Sequence, residues 1–223
     1  MALTVTLLGG ESSGKTTLAH ALQPALAAKG IHSTLVPEQL RSWCEQHSRA
    51  PLAHEQAERA KAQSLAIEAA TQDAATQVVL ADTTALVIAA YSELYFDDRS
   101  LWSSAITQQR RYGLSLLMGL DLPWVPDGLL RDGPALRAAT DAVLRRELQA
   151  ADTPFQTLYG PLEARVQQAL RTIGGALGQP LVADNPDWSK GRRPWVCEKC
   201  SDPDCEHRLF TDLLKQRTHQ SAP

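Results

Sequence analysis

Eight residues near the start of the chain, Gly9-Gly10-Glu11-Ser12-Ser13-Gly14-Lys15-Thr16, satisfy the pattern G-x-x-x-x-G-K-[ST]. Glycines in this pattern let the backbone wrap closely around a phosphate. Consecutive N–H groups and the start of a following helix supply positive potential there. Lys15 is placed to reach the outer phosphates of a nucleoside triphosphate, and the Thr16 hydroxyl is a ligand for Mg²⁺. Residues Gly9 through Thr17 are therefore the candidate ATP–Mg²⁺ site.

Two acidic residues follow apolar runs that read as strands. Asp82 comes after QVVLA and has the form of an aspartate that holds Mg²⁺ directly or through water. Glu38 comes after a second run, where a carboxylate can take the proton of an acceptor hydroxyl. Ligands of open α/β sheets bind outside the carboxyl ends of the strands, which is where both acids fall. The structural alternative is a helix N-cap for Asp82 and a first-turn dipole partner for Glu38. Both acids fit the role of base, with the other positioning substrate or Mg²⁺.

A third cluster lies near the C-terminus. Cys197-x₂-Cys200-x₄-Cys205-x-His207 puts three thiols and an imidazole within eleven residues, enough for a tetrahedral zinc site. An iron–sulfur or redox role and a reduced, metal-free tail are the alternatives.

These residues need elements to position them. Thr4–Leu8, His32–Val36, Gln77–Ala81, Leu114–Gly119 and Phe155–Leu158 read as strands. Helices are expected over Lys15–Lys29, with a kink or early break at Pro24 and a stop at Gly30. Further helices are expected over Glu38–His47, His54–Thr71, Thr84–Leu94, Ser100–Arg111, Pro134–Ala150 and Leu162–Ile173. Strands alternating with helices imply an α/β fold, a five-stranded parallel sheet with helices on both faces. After residue 173 the regular alternation ceases, so the expected organisation is a domain at 1–173 and a Cys-rich appendage at 174–223.

Bulk properties narrow the classes. The chain has 223 residues, 43% hydrophobic and 21% charged, the texture of a globular protein with a real core. A formal net charge of −3 gives no global basic field for nucleic acid or an anionic membrane. No apolar run approaches the ~20 residues of a membrane span. The N-terminus lacks a basic leader, which reads as a cytoplasmic protein. No repeat or low-complexity tract is present.

The segments GGESSGKTTL (9–18), VPE-x-x-R (36–41), the strand with Asp82-Thr83 (78–83) and DLPWVPDGLLR (121–131) together resemble the nicotinamide riboside kinase domain of NadR-type proteins. That domain belongs to the P-loop kinase and AAA-type ATPase family, and the likeness covers roughly 1–173. The resemblance implies phosphorylation of the nicotinamide riboside 5′-hydroxyl by ATP. By the same resemblance, Lys15 and Thr16 match the ATP–Mg²⁺ site, and Glu38 and Arg41 the acidic–basic pair near the riboside. Asp82 matches the aspartate after the third strand, and Asp127 to Arg131 match a lid whose Arg131 touches phosphates. The family commonly reads Asp-Thr-Asp where this chain has Asp82-Thr83-Thr84, and Arg-Glu where it has Arg41-Ser42.

A flat, cationic nicotinamide ring could stack on Trp43, Tyr91, Tyr95 or Trp124, the last best placed through its motif. The expected partner is a small-molecule nucleoside, with no nucleic acid and no membrane, and no protein partner is indicated. A reading from another class is a regulatory ATP-binding module that controls a partner surface on the C-terminal appendage. The missing acid at Thr84 favours it; the PWVPDGLLR segment favours the kinase.

Overall fold

The computed structural model describes residues 2–125 and 133–183. Five strands carry the fold: β1 (Leu3–Leu8), β2 (Ser33–Val36), β3 (Val78–Asp82), β4 (Leu114–Met118) and β5 (Gln156–Leu158). All pair in parallel, in the order β2-β3-β1-β4-β5. Among the described residues seven α-helices connect and follow them: α1 (Lys15–Ala27), α2 (Gln39–His47), α3 (Gln56–Thr71), α4 (Ala85–Phe96), α5 (Trp102–Gln109), α6 (Pro134–Ala150) and α7 (Leu162–Leu177). This is the expected P-loop NTPase architecture, and a short 3₁₀ turn at Ala53–Glu55 leads into α3.

Strand alternation sorts the core into two layers. Val5 and Leu7 pack with Leu18, Leu22 and Leu26 of α1 and with Ala169, Leu170 and Ile173 of α7. Leu8 and Leu117 turn to the opposite layer, formed by α4, α5 and α6. Val79 and Ala81 meet Ile67 of α3. In α4, Leu86 through Ala90 are all fully buried, as a helix apolar on every side requires.

Several boundaries differ from expectation. Helix α1 runs through Pro24 and ends at Ala27, neither breaking at the proline nor reaching Lys29. Proline removes only its own N–H bond, and buried Leu22 and Leu26 on either side hold the last turn against the sheet. Gly30, at φ +74°, makes the expected left-handed stop. Helix α7 continues through Gly174 and Gly175 to Leu177, beyond the expected end at Ile173, and Gly178 caps it at φ +68°. A Cβ on Gly174 would lie 2.7 Å from the Gln179 carbonyl oxygen, so the glycine admits the returning chain rather than ending the helix. Leu181 then packs back into the α1–α7 layer. No helix among the described residues is long and apolar enough to cross a membrane.

Candidate functional site

The turn between β1 and α1 lies at the carboxyl edge of the sheet. Gly9 (φ +141°), Ser12 (φ +52°) and Gly14 (φ +89°) take left-handed backbone that folds the segment into a concave loop. A Cβ on Gly10 would sit 3.1 Å from both the Cα and carbonyl oxygen of Arg137, because α6 packs directly onto the loop. No hydrogen bond within the described residues uses the N–H groups of Ser13, Gly14, Lys15, Thr16 or Thr17; the first helical bond runs from Leu18 to Gly14. Buried Lys15 folds over the loop, its Nζ donating to the carbonyls of Gly9 (2.9 Å) and Gly10 (2.8 Å). Ser13 Oγ also donates to Gly10.

Asp82 ends β3 beside this loop and is 3% exposed. Its Oδ2 accepts the Thr16 hydroxyl at 2.5 Å, while its Oδ1 is buried without a hydrogen-bond partner among the described residues. A buried carboxylate oxygen lacking a donor, next to a hydroxyl, is the set of hard oxygen ligands that suits Mg²⁺. Asp82 is not the N-cap of α4. Thr84 is, accepting from the Leu86 N–H and donating to Gln109 Oε1 at 2.9 Å. Gln109 in turn donates to Thr6 and Ser115, so Thr84, where the resembled family reads a second acid, is committed to a buried polar network. Between them Thr83 is held at φ +75°, rare for a β-branched residue, by its N–H bond to the Leu7 carbonyl.

Glu38 stands at the N-cap position of α2, where its side chain makes no cap bond. One buried side chain ties this corner to the Asp82 corner. Gln63 of α3 accepts from the Gln39 N–H (2.8 Å) and donates to the carbonyls of Pro37 (3.4 Å) and Thr83 (3.1 Å). It thereby grips the residues on both sides of Glu38 and the residue after Asp82. Across from them, burial pushes the Tyr91 phenol well above its usual pKa. The carboxylates of Glu38 and Glu11 add to the rise and Arg41 opposes it, so these charges act on one neighbourhood. Burial, then Glu38 and Glu45, likewise raise the Cys44 thiol.

Of the aromatic candidates, Tyr91 and Tyr95 meet in a tilted pair with centroids 6.2 Å apart. Trp43 does not offer a clear face: His47 stacks on it at 4.1 Å, and Arg49 and Arg59 lie within cation–π range. Trp124 is half-buried, with its indole N–H unpartnered among the described residues. Asp127, Arg131 and the Cys197, Cys200, Cys205 and His207 cluster lie outside the described residues. Ser12 Oγ bonds both the Val125 carbonyl (3.1 Å) and N–H (2.9 Å), and Glu11 Oε1 accepts from the Gly133 N–H (3.1 Å).

Sequence reasoning missed Gln63, Arg137 and Arg165. Gln63 sits in an Ala- and Gln-rich helix with nothing to set it apart from Gln56 or Gln72. Arg137 and Arg165 look like ordinary charges on amphipathic helices, yet they are 8% and 1% exposed and both donate to the loop after β1. The one available signal was the place of Arg165 just after the strand–helix junction at Gly160.

Comparisons with known proteins bear on the fold. NadR in complex with NR shares the fold at a TM-score of 0.67 and 20% sequence identity, covering 82% of this chain and 54% of that one. NadR in complex with NAD and AMP-PNP gives 0.63 and 20%, covering 82% and 51%. Deoxyadenosine kinase from M. mycoides, with products dCMP and dCDP bound, gives 0.55 and 12%, covering 78% and 100%. The chain thus spans about half the length of the NadR chains, and the expected likeness to NadR-type proteins is met in the fold. A comparison with curated proteins finds no match. A family profile described as an AAA domain matches residues 4–165, from β1 to the first turn of α7. Since that match takes in the phosphate-binding loop and both strand-end acids, the chain belongs to the AAA domain family.

Proposed function

We propose that this chain is a small-molecule kinase that transfers the γ-phosphoryl group of ATP to the 5′-hydroxyl of nicotinamide riboside. The observation that carries this reading is the Thr16–Asp82 contact at 2.5 Å, made beside five backbone N–H groups that have no partners among the described residues and leaving buried Asp82 Oδ1 without a donor among them. In this reading the N–H groups of residues 13–17 bind the phosphates and Lys15 neutralises them. Thr16 and Asp82 would hold Mg²⁺, which when bound supplies further charge neutralisation between the outer phosphates. With Asp82 assigned to the metal beside Thr16, Glu38, the acid that follows β2, is assigned as the base. The acceptor 5′-oxygen attacks the γ-phosphorus as Glu38 takes its proton; the new P–O bond forms, the bond to the β–γ bridging oxygen breaks, and ADP leaves. Arg131, by its place in PWVPDGLLR, joins Lys15 at the phosphates, and Trp124 and Asp127 border the substrate.

The acceptor assignment draws on charge. Glu38 and Glu11, opposed by Arg41, leave the surroundings of Tyr91 with more negative than positive charge, and Tyr91 with Tyr95 offers aromatic faces, a setting that favours a pyridinium nucleoside over a neutral one. NadR bound to NR and a deoxyadenosine kinase share the fold, which agrees with a nucleoside acceptor.

The test is incubation with Mg²⁺–ATP and a panel of nucleosides, with nicotinamide riboside beside adenosine, deoxyadenosine, deoxycytidine and thymidine, read by mass spectrometry. A monophosphate of nicotinamide riboside is expected, and Glu38→Gln should cut kcat by about 100-fold or more with little change in the KM for ATP. Product from another nucleoside alone would overturn the acceptor. No product at all, with tight ATP binding, would replace the kinase by a regulatory ATP-binding module.

A further inference from the structure

Two buried guanidinium groups stand behind the phosphate-binding loop, and neither is part of its sequence pattern. Arg165, on α7, spends every donor it has. Its Nε–H goes to the Gly160 carbonyl (2.9 Å), and Nη1 goes to the Ser13 carbonyl (2.7 Å) and Met118 Sδ (3.7 Å). Nη2 goes to the Gly119 carbonyl (3.1 Å) and to Asp121 Oδ1 (2.7 Å). The second oxygen of Asp121 accepts the Gly160 N–H at 2.6 Å. One ion pair therefore knits the loops that follow β1, β4 and β5. Arg137, on α6, gives Nη1 to the Ser12 carbonyl (3.3 Å) and the Leu122 carbonyl (2.9 Å), and no carboxylate pairs with it among the described residues.

The consequence follows from peptide geometry. In a trans peptide the C=O of one residue and the N–H of the next point in opposite directions. Holding the Ser12 carbonyl toward Arg137 turns the Ser13 N–H the other way, and holding the Ser13 carbonyl toward Arg165 does the same for Gly14. These two N–H groups continue the run of Lys15, Thr16 and Thr17 at the start of α1, so five consecutive donors remain for an anion. Without a donor behind it, each of these peptides is free to rotate and present a carbonyl oxygen, which repels phosphate.

We propose that Arg137 and Arg165 are positioning residues for the phosphates, fixing the peptide planes of Ser12–Ser13 and Ser13–Gly14 from behind. This rests on the reading of residues 9–17 as a triphosphate site and is independent of which nucleoside is the acceptor. It requires arginine rather than mere charge. A lysine at 165 is a point donor and cannot reach four carbonyl and carboxylate oxygens set around a planar fork. The two residues differ in one respect: Asp121 neutralises Arg165, whereas Arg137 keeps its charge next to the loop.

The experiment uses the full chain and compares wild type with Arg137→Met, Arg165→Met and Arg165→Lys, with the exposed Arg146→Met as control. Calorimetry gives Kd for Mg²⁺–ATP, tripolyphosphate and adenosine, and circular dichroism with thermal melting reports folding. Each methionine variant is expected to weaken ATP and tripolyphosphate binding by about 10- to 100-fold, the range for a charged hydrogen bond. Adenosine affinity and the control should stay unchanged. Arg165→Lys should fail to restore phosphate binding; full rescue by lysine would overturn the orienting role. A merely structural contribution would lower the melting temperature and leave the ratio of ATP to adenosine affinity unmoved, and that result in folded variants would also overturn the proposal. Should Arg165→Met not fold, Arg137→Met, nearer the surface, decides. Wild-type protein that binds neither ATP nor tripolyphosphate would overturn the phosphate site itself, a different outcome from binding that the variants fail to change.

Discussion

Gln63 donates its side-chain amide to the carbonyl of Thr83 at 3.1 Å, fully buried, and the same side chain grips Pro37 and Gln39. The two acids proposed for the site, Glu38 and Asp82, thereby have neighbours held in one frame, although they lie 44 positions apart in the sequence. Replacing Gln63 with Met keeps the volume but leaves the Gln39 N–H and the Thr83 carbonyl without this partner. Each orphaned buried group costs about 1–3 kcal/mol, so the variant should melt several degrees lower. It should also lose kcat more than ATP affinity, since the hydrogen bonds of Gln63 go to Gln39, Pro37 and Thr83 and not to the phosphate-binding loop. Equal losses in kcat and in ATP binding would show that Gln63 serves stability alone.

The Thr16–Asp82 hydrogen bond yields a prediction specific to the metal. Asp82→Asn keeps the shape and an oxygen but removes the charge that favours a divalent cation. The Mg²⁺ concentration for half-maximal activity should rise, and kcat at saturating ATP should fall by about 100-fold. Thr16→Val should shift the Mg²⁺ requirement in the same direction. A titration curve superimposable on wild type would remove Asp82 from the metal site.

Glu11 allows charge to be separated from structure. Its Oε1 accepts the Gly133 N–H, and its carboxylate also raises the Tyr91 pKa. Glu11→Gln retains a carbonyl oxygen for Gly133 and deletes only the negative charge. For a cationic acceptor the KM should rise about fivefold, the equivalent of roughly 1 kcal/mol for a partly solvated charge pair, and the effect should shrink with salt. A neutral nucleoside should show no change. A KM for nicotinamide riboside that stays constant would mean that acceptor charge is not read at this corner.

Most of the scaffold was legible because its signals are local. Apolar runs, glycine stops and the spacing of Gly9, Gly14 and Lys15 each declare themselves within a few residues, and the parallel five-stranded sheet follows from their alternation. The misplacements came where packing overrode local chemistry. Pro24 sits mid-helix because Leu22 and Leu26 are buried around it, and Gly174 allows a close backbone approach rather than a stop. The site divided the same way. Asp82 and Thr16 follow strand and motif logic. Gln63, Arg137 and Arg165 act through contacts 20 to 152 residues distant, which no window along the chain contains. Trp43 illustrates the converse: an aromatic side chain in a promising place whose ring is engaged by His47 and two arginines.

On the layer formed by α4, α5 and α6, Glu93 accepts from Arg146 at 2.7 and 2.8 Å, Arg99 at 2.9 Å and the Trp102 indole at 2.7 Å. Glu147 accepts from both arginines as well. Burial alone would raise the Glu93 carboxyl, but the donors from Arg146 and Trp102, with the charges of both arginines, outweigh it, and its pKa lies below the ordinary 4.5. A carboxylate with a lowered folded pKa binds fewer protons than the unfolded chain does in acid. Its contribution is therefore complete above about pH 4.5 and is lost as the pH falls through the folded value. Both arginines are about half exposed, so solvent screening limits the whole effect at neutral pH to roughly 1 kcal/mol. Glu93→Gln should lower the melting temperature by a few degrees at pH 7 and by less at pH 3, where the wild-type carboxylate is closer to protonation. High salt should narrow the gap at pH 7. Melting curves for the two proteins that stay parallel from pH 7 to pH 3 would show that the network does not couple helix packing to the charge of Glu93.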